Sequence, residues 1–535
     1  MVWHVAWAAF ALLSGAQAGE ASPPPADVAK ACAALAGQDI AGAHVVEAEV
    51  RRPDAATPPQ AGIPGGLPAY CRVAARLSPE PGSDIRMEVW LPLAAWDGRL
   101  SASGNGGFAG SIEYAGLATA IRGGQVGLST DTGHVGSAID GAWARGRPER
   151  VRDYGWRAVH VSTVAAKAIT TRVYGRPPER SYFASCSNGG RQALMEAQRF
   201  PDDYDGVIAG APALDFTGAA TAMIWDTQAL AAPGAMIPAS QTARVQSAVL
   251  AACDEADGRR DGLVADPRKC RFDPTVLACG AAGAPGCFSP AQVEALRRIY
   301  AGPRAPNGRQ LYPGFPPSGG EVGAMPGSGW DGWIFAPANR PSNQSIYPNA
   351  LLEDFTTPSL GRVATFDFAR DPARLEAALA GDLDAKDPDL SRFLAHGGKL
   401  ILWHGWADPA LPPGRTLSYY QAVVDHAGPR AASGVRLFMT PGVQHCFGGP
   451  GLNSFGQAGS PPPGAGPDDH LVAALQAWVE NGRVPEQITA RHREDALVGA
   501  MDPLGAPAQA TGLMCAWPKT PIGDRGQEIC REPGA

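Results

Sequence analysis

Residues 181–190 read SYFASCSNGG, and the way this stretch folds decides the architecture of the whole chain. SYFAS has the character of a strand, and NGGRQALMEAQRF, beginning at Asn188, has that of a helix. A strand, a serine at a sharp turn and then a helix is the context of a nucleophile elbow, in which the turn presents the serine hydroxyl at the strand's C-terminal end. The turn strains its central residue and needs small neighbours two positions away on either side; Ser185 and Gly189 stand there. The pattern is S-x-S-x-G rather than G-x-S-x-G, and an N-cap for the following helix would account for Ser187 taken by itself. What decides between the two is whether the rest of the chain supplies partners.

A nucleophilic serine needs a base to accept its proton and an acid to orient that base, and in α/β hydrolases these follow in the order Ser, Asp or Glu, His. Asp408 lies in HGWADPALPP, just beyond the buried-strand stretch KLILWHG, and His445 lies in TPGVQHCFGG, after VRLFM. An Asp-Pro turn or a packed histidine would explain either alone. Their order and their strand-end setting together point to Ser187 as nucleophile, His445 as base and Asp408 as the orienting acid. Cys186 precedes the serine and Cys446 follows the histidine. A bond between them would bring their Cα atoms to about 5.5 Å and hold Ser187 and His445 within hydrogen-bond reach. Closing a loop of about 260 residues would also restrict the unfolded chain, by up to roughly 5 kcal/mol in the entropic model.

Outward from these loops, residues 83–215 and the stretch from about 397 onward alternate short apolar runs with helix-like segments, which implies an α/β sheet with functional groups at strand C-termini. Between them, residues 214–395 are rich in Gly, Pro and Asp, hold four cysteines and lack that alternation. The expected organisation is 19–213 and 396–535 as the two parts of one core, with 214–395 inserted. Residues 1–18, MVWHVAWAAFALLSGAQA, combine an apolar run with a terminal A-Q-A and read as a signal peptide cleaved after Ala18, although no Lys or Arg precedes the run. The expected location is therefore secreted or periplasmic. Ten cysteines without a C-x-x-C pair favour disulfides over structural zinc. A net charge of −7 and the absence of a basic run argue against nucleic acid or an anionic membrane as partner.

The paired motifs CS at 186–187 and HC at 445–446, with Asp408 between them, resemble the CS-D-HC signature of the tannase and feruloyl esterase family. SASGNGGFAGSI, GLSTDTGH, YFASCSNGGRQ, VIAGAPA and KLILWHGWADP carry the likeness over most of the chain. The resemblance implies an α/β-hydrolase core, a large lid inserted between nucleophile and acid, and hydrolysis of small-molecule esters of aromatic acids without an organic cofactor. It also implies the pairs Cys32–Cys71, Cys253–Cys270, Cys279–Cys287 and Cys515–Cys530, none of which spacing alone fixes.

Three further expectations concern ligands. In CDEADGRRDGL, Asp254, Asp257 and Asp261 interleave with glycines, which suits calcium, though not at EF-hand spacing. The family's lid calcium loop adds the carbonyls of Arg259 and Leu263; a solvated acidic turn is the alternative. An oxyanion hole needs two backbone N–H groups, expected from Asn188 and from the glycine-rich turn at 104–107, with Gly107 ahead of Gly106. Trp330, Trp333 and Phe335 in GSGWDGWIFAP, with Leu411 beside the acid, are candidates to wall an aromatic acyl group, unless the aromatics are core. Arg340 is a candidate partner for a substrate carboxylate. A serine amidase or peptidase with the same triad, and a non-catalytic binding protein on this scaffold, are the competing functional classes.

Overall fold

The structure is a computed structural model and describes residues 25–53, 66–280, 285–495, 507–523 and 527–532. The expected signal peptide, residues 1–18, lies outside them. Ten strands form one sheet: β1 (Asp39–Ile40), β2 (Ala43–Arg51), β3 (Tyr70–Leu77), β4 (Ile85–Pro92), β5 (Arg99–Ala102), β6 (Val126–Thr130), β7 (Arg180–Cys186), β8 (Gly206–Gly210), β9 (Lys399–Gly405) and β10 (Val435–Thr440). Their order is β1-β2-β3-β4-β6-β5-β7-β8-β9-β10. The first four run as an antiparallel meander joined antiparallel to β6, and from β6 to β10 every neighbouring pair is parallel.

The parallel half follows from its composition. β8 (GVIAG) is buried along its whole length, and so is β9 after Lys399, as expected of strands covered on both faces. Successive side chains of β7 point to opposite sides: Phe183 packs with Leu194, Met195 and Leu402, whereas Tyr182 and Ala184 pack with Trp403, Phe438 and Trp478. Helices Ala158–Tyr174, Asn188–Arg199 and Gly414–Ala427 supply the crossovers that parallel pairing requires. Strands β11 (Gln487–His492) and β12 (Ala510–Cys515) form an antiparallel pair whose Ile488, Ala490 and Met514 close the second face. This is the α/β-hydrolase architecture expected from the sequence.

The chain leaves the sheet after β8 and returns at β9, and the segment between them contains the stretch read from the sequence as an insertion. It has one core of its own, around Phe288, Leu296, Trp330 and Phe335, and shares another, in which Leu352, Phe355, Leu375 and Leu383 pack with Phe108, Val151 and Tyr154. Helix Pro290–Ala301 starts at a capping box in which Ser289 and Gln292 satisfy each other's backbone N–H groups. Cys253–Cys270 and Cys279–Cys287 tie its loops, and Cys32–Cys71 and Cys515–Cys530 tie the two ends of the core. No helix of the described residues is long and apolar enough to cross a membrane.

Candidate active site

Ser187 occupies the turn between β7 and helix Asn188–Arg199 at φ 65°, ψ −126°, a region that a residue with a Cβ enters only under strain. The turn is held from both sides: the Ser187 N–H donates to the Gly210 carbonyl at 2.9 Å, and its own carbonyl accepts from Ala213 at 3.1 Å. Glycine is needed at 189, where a Cβ would fall 2.0 Å from Ser185 Oγ. The elbow thus accepts serine at 185 because the opposite position is bare.

The triad candidates converge although Ser187 and His445 are 258 residues apart in sequence. His445 Nε2 is 2.8 Å from Ser187 Oγ, and His445 Nδ1 is 2.7 Å from Asp408 Oδ2. Asp408, on the loop after β9, is 2% exposed, and its Oδ1 accepts the N–H groups of Ala410 and Leu411 at 2.7 and 2.9 Å. Burial alone would raise this carboxyl, but His445 and His404 outweigh it and hold it well below the usual carboxylate range. His404, at the end of β9, was not among the sequence candidates; its Nε2 lies 3.0 Å from Asp408 Oδ2. Gly405 lets the Asp408 and His445 loops meet, because a Cβ there would lie 2.0 Å from the Val443 carbonyl. Cys186 and Cys446 are joined, Cα to Cα 5.8 Å, beside Ser187 and His445.

Gly107 and Asn188 both line the cavity at Ser187; Gly106 does not. A Cβ on Gly107 would sit 2.2 Å from the Ala138 carbonyl, and its φ of +52° is left-handed, so the turn requires glycine there. The buried Tyr154 hydroxyl is 2.9 Å from both the Gly107 carbonyl and Asn188 Oδ1, and so ties the two segments together. Arg191, fully buried, donates through Nε to Asn188 Oδ1 at 2.8 Å.

The rest of the cavity is apolar: Ala213, Phe216, Ala219, Ala220, Met223, Trp333, Tyr347, Leu351, Ala410 and Leu411. Phe216, Ala219, Ala220 and Met223 form one face of helix Phe216–Ala231. Among the described residues, no Lys, Arg, Asp or Glu lines it. Of the aromatic candidates, Trp333 lines the cavity, its ring 5.5 Å from that of His445, whereas Trp330 and Phe335 are core residues of the insertion, packed on Phe288 and Leu296. The short helix Trp330–Trp333 turns them inward. Arg340 is exposed and bonds Asn343 Oδ1 and the Pro341 carbonyl, away from the cavity.

Two groups bear on metals. In the expected calcium loop, Asp254 accepts from the N–H groups of Asp261 and Gly262 at 3.2 and 3.0 Å, which closes the loop, while Asp257 accepts from Arg259 N–H at 2.9 Å. An all-oxygen set of three carboxylates and the Arg259 and Leu263 carbonyls fits a hard cation in donor type. Among the described residues, however, these carboxylates are not gathered within 4.8 Å of one another. The His160, Glu196 and Asp203 ligand atoms are. There, burial and the adjacent Asp203 push Glu196 well above the usual carboxyl range. That cluster lies at the other end of helix Asn188–Arg199 from Ser187.

A family model described as tannase and feruloyl esterase matches residues 71–528. An uncharacterized esterase from Xanthomonas campestris pv. campestris is 38% identical, over 87% of this chain and 84% of that protein. Mono(2-hydroxyethyl) terephthalate hydrolase from Piscinibacter sakaiensis is 32% identical, over 84% of this chain and 82% of that protein. The crystal structure of feruloyl esterase B from Aspergillus oryzae matches with a TM-score of 0.82 at 27% identity, covering 94% of this chain and 100% of that one.

Proposed function

The chain belongs to the tannase and feruloyl esterase family of carboxylic ester hydrolases, and from that premise we propose that it cleaves esters of neutral aromatic carboxylic acids through Ser187, His445 and Asp408. The observation that carries the proposal is the continuous path from Ser187 Oγ to His445 Nε2 at 2.8 Å and from His445 Nδ1 to Asp408 Oδ2 at 2.7 Å, opening onto an apolar cavity.

His445 takes the Ser187 proton as Oγ attacks the ester carbonyl, and Asp408 stabilises the imidazolium that forms. The N–H groups of Gly107 and Asn188 receive the developing oxyanion. As the tetrahedral species collapses, His445 gives the proton to the departing alcohol and leaves the acyl group on Ser187. A water then attacks the acyl-enzyme, losing a proton to His445, and the acid departs as that proton returns to Ser187.

The insertion acts as a lid. Its Phe216, Met223, Trp333 and Tyr347 enclose the acyl group, and without a cation on that wall a free para-carboxylate would be buried unpaired. A hydroxycinnamoyl or galloyl ester therefore fits better than a terephthalate half-ester. Asp254, Asp257 and Asp261, with the carbonyls of Arg259 and Leu263, would hold calcium, which when bound neutralises the acidic loop of the lid. Five disulfides favour an oxidising compartment, secreted or periplasmic.

Ser187→Ala is expected to abolish hydrolysis of a small chromogenic ester while circular dichroism stays native; undiminished turnover refutes the nucleophile. Across methyl ferulate, methyl gallate and mono(2-hydroxyethyl) terephthalate, kcat/KM should be lowest for the last, and a preference for it would overturn the neutral-acyl reading. Calcium should raise Tm after chelation; no change would remove the ion from the account.

A further inference from the structure

We infer that His404 is a positioning residue of the reaction: its imidazole supplies a second side-chain N–H to the very carboxylate oxygen that orients His445. The inference rests on the triad reading above and extends it to a group that touches neither substrate nor Ser187.

His404 is 1% exposed and does not line the cavity. Its Nε2 faces two acceptors, Asp408 Oδ2 at 3.0 Å and the Leu411 carbonyl at 3.2 Å. Neither of these can donate to it while Asp408 is ionised, so the proton must sit on Nε2. Its Nδ1 lies 2.8 Å from Thr416 Oγ1, whose hydroxyl donates to the bare nitrogen and fixes the tautomer. Asp408 then receives an N–H from Ala410 and Leu411 on Oδ1 and from His445 and His404 on Oδ2. With every acceptor site engaged, the carboxylate cannot rotate, and its charge is spread over four donors rather than directed at His445 alone.

Loss of the His404 donor has two separable consequences. Asp408 gains rotational freedom, so the base is less often aligned on Ser187 and kcat falls. The carboxylate oxygen, with one donor fewer, also stabilises a protonated base more strongly, so the acid limb of the kcat/KM profile moves to higher pH. Among the described residues, the ionisable groups beyond Asp408 include Tyr312, with Asp384 and the Arg415–Asp215 ion pair about it, whose guanidinium and carboxylate are 2.9 Å apart. None of these is altered in the variants below.

The test compares His404→Phe, which removes the donor, with His404→Gln, whose side-chain amide can place an N–H near the position of Nε2, and with Thr416→Val, which keeps the ring and removes its anchor. On a small chromogenic ester, His404→Phe is expected to lose roughly 10-fold or more in kcat, the scale of one charge-assisted hydrogen bond, with little change in KM. Its acid limb should shift upward. His404→Gln should recover most of both, and Thr416→Val should show the same signs more weakly. A purely structural role would lower Tm without moving the acid limb. If His404→Phe does not fold, the Gln and Val variants carry the same test. Folded variants with wild-type kcat and an unmoved acid limb overturn the inference, as does a glutamine no better than phenylalanine. Activity retained by Ser187→Ala would instead overturn the triad reading itself.

Discussion

The two walls of the cavity are built on opposite rules. On the sheet side the polar atoms that bear on the chemistry are buried and bonded: Asp408 to Ala410, Leu411, His445 and His404, and Asn188 to Tyr154 and Arg191. On the insertion side, Phe216, Ala219, Ala220, Met223, Trp333 and Leu351 present hydrocarbon and empty space. A misplaced donor on the first wall costs alignment of the reacting atoms, whereas a misplaced methyl on the second costs only binding, about 1–3 kcal/mol. Substitutions on the sheet wall should therefore act on kcat, and those on the insertion wall on KM.

After Ser187→Ala, the largest effect is expected from Asp408→Asn, which preserves shape but presents an amide in place of an oxygen that faces His445 Nδ1 and His404 Nε2. A drop of about 10³–10⁴-fold in kcat follows, the scale seen when a triad acid is neutralised. A fall smaller than 10-fold would mean that the sheet wall does not work by orientation, as rapid kinetics on the chromogenic ester would reveal.

The disulfides sharpen the contrast. Cys186–Cys446 spans 260 residues and joins the Ser187 turn to the His445 loop, whereas Cys253–Cys270 spans 17 within the insertion. Chain entropy alone sets their stabilisation at no more than about 5 and about 3 kcal/mol, which differ less than their expected effects on turnover. The Cys186→Ala/Cys446→Ala pair should lose kcat roughly 10-fold or more because His445 drifts from Ser187. Cys253→Ala/Cys270→Ala should lower Tm and leave kcat near wild type; equal losses of kcat from the two pairs would dissolve the distinction. On the insertion wall, Ala219→Leu should raise KM for an aromatic ester about 10-fold while hydrolysis of an acetyl ester stays close to wild type.

How much of this was legible in the sequence follows the same division. Ser187, Asp408, His445 and the flanking cysteines could be singled out as candidates, and the structure brings them together, because the proposed chemistry demands particular residue types in a fixed order at strand ends. The acyl wall could not, because Phe216, Ala219, Ala220 and Met223 at helical spacing carry the same signal as a core-facing stripe. GSGWDGWIFAP offered three aromatics, and only the tertiary packing turns Trp333 outward and Trp330 and Phe335 inward. His404 sits in an apolar strand, KLILWHG, where a packed histidine is the ordinary expectation. The strand–helix alternation from residue 83 pointed to a parallel sheet, but its first strand, β4, pairs antiparallel with both neighbours and ends the meander of β1 to β4, since pairing partners are a long-range property.

The smallest expected effect on turnover lies where the walls meet. Gln444, the neighbour of His445, donates through Nε2 to the Gly320 and Val322 carbonyls at 2.8 and 2.6 Å and accepts from Ala324 N–H at 3.0 Å, so an insertion loop rests on the base loop. At the centre of that loop Glu321 is fully buried, with Oε1 3.3 Å from the N–H groups of Ser318 and Gly319. Burial pushes its carboxyl from 4.5 up to about 7, against those hydrogen bonds. A carboxyl raised on folding keeps its proton in the native state between pH 4.5 and about 7, where the unfolded chain has released it. Stability therefore falls as pH rises through this window, by on the order of 1–3 kcal/mol, and is unaffected by this group below it. Glu321→Gln keeps the shape without the ionisation, so its Tm should decline less than that of the wild type between pH 5 and pH 8, with kcat at pH 6 little changed. Parallel Tm curves would show that Glu321 ionises without cost, and that the contact between the walls does not depend on a buried neutral carboxyl.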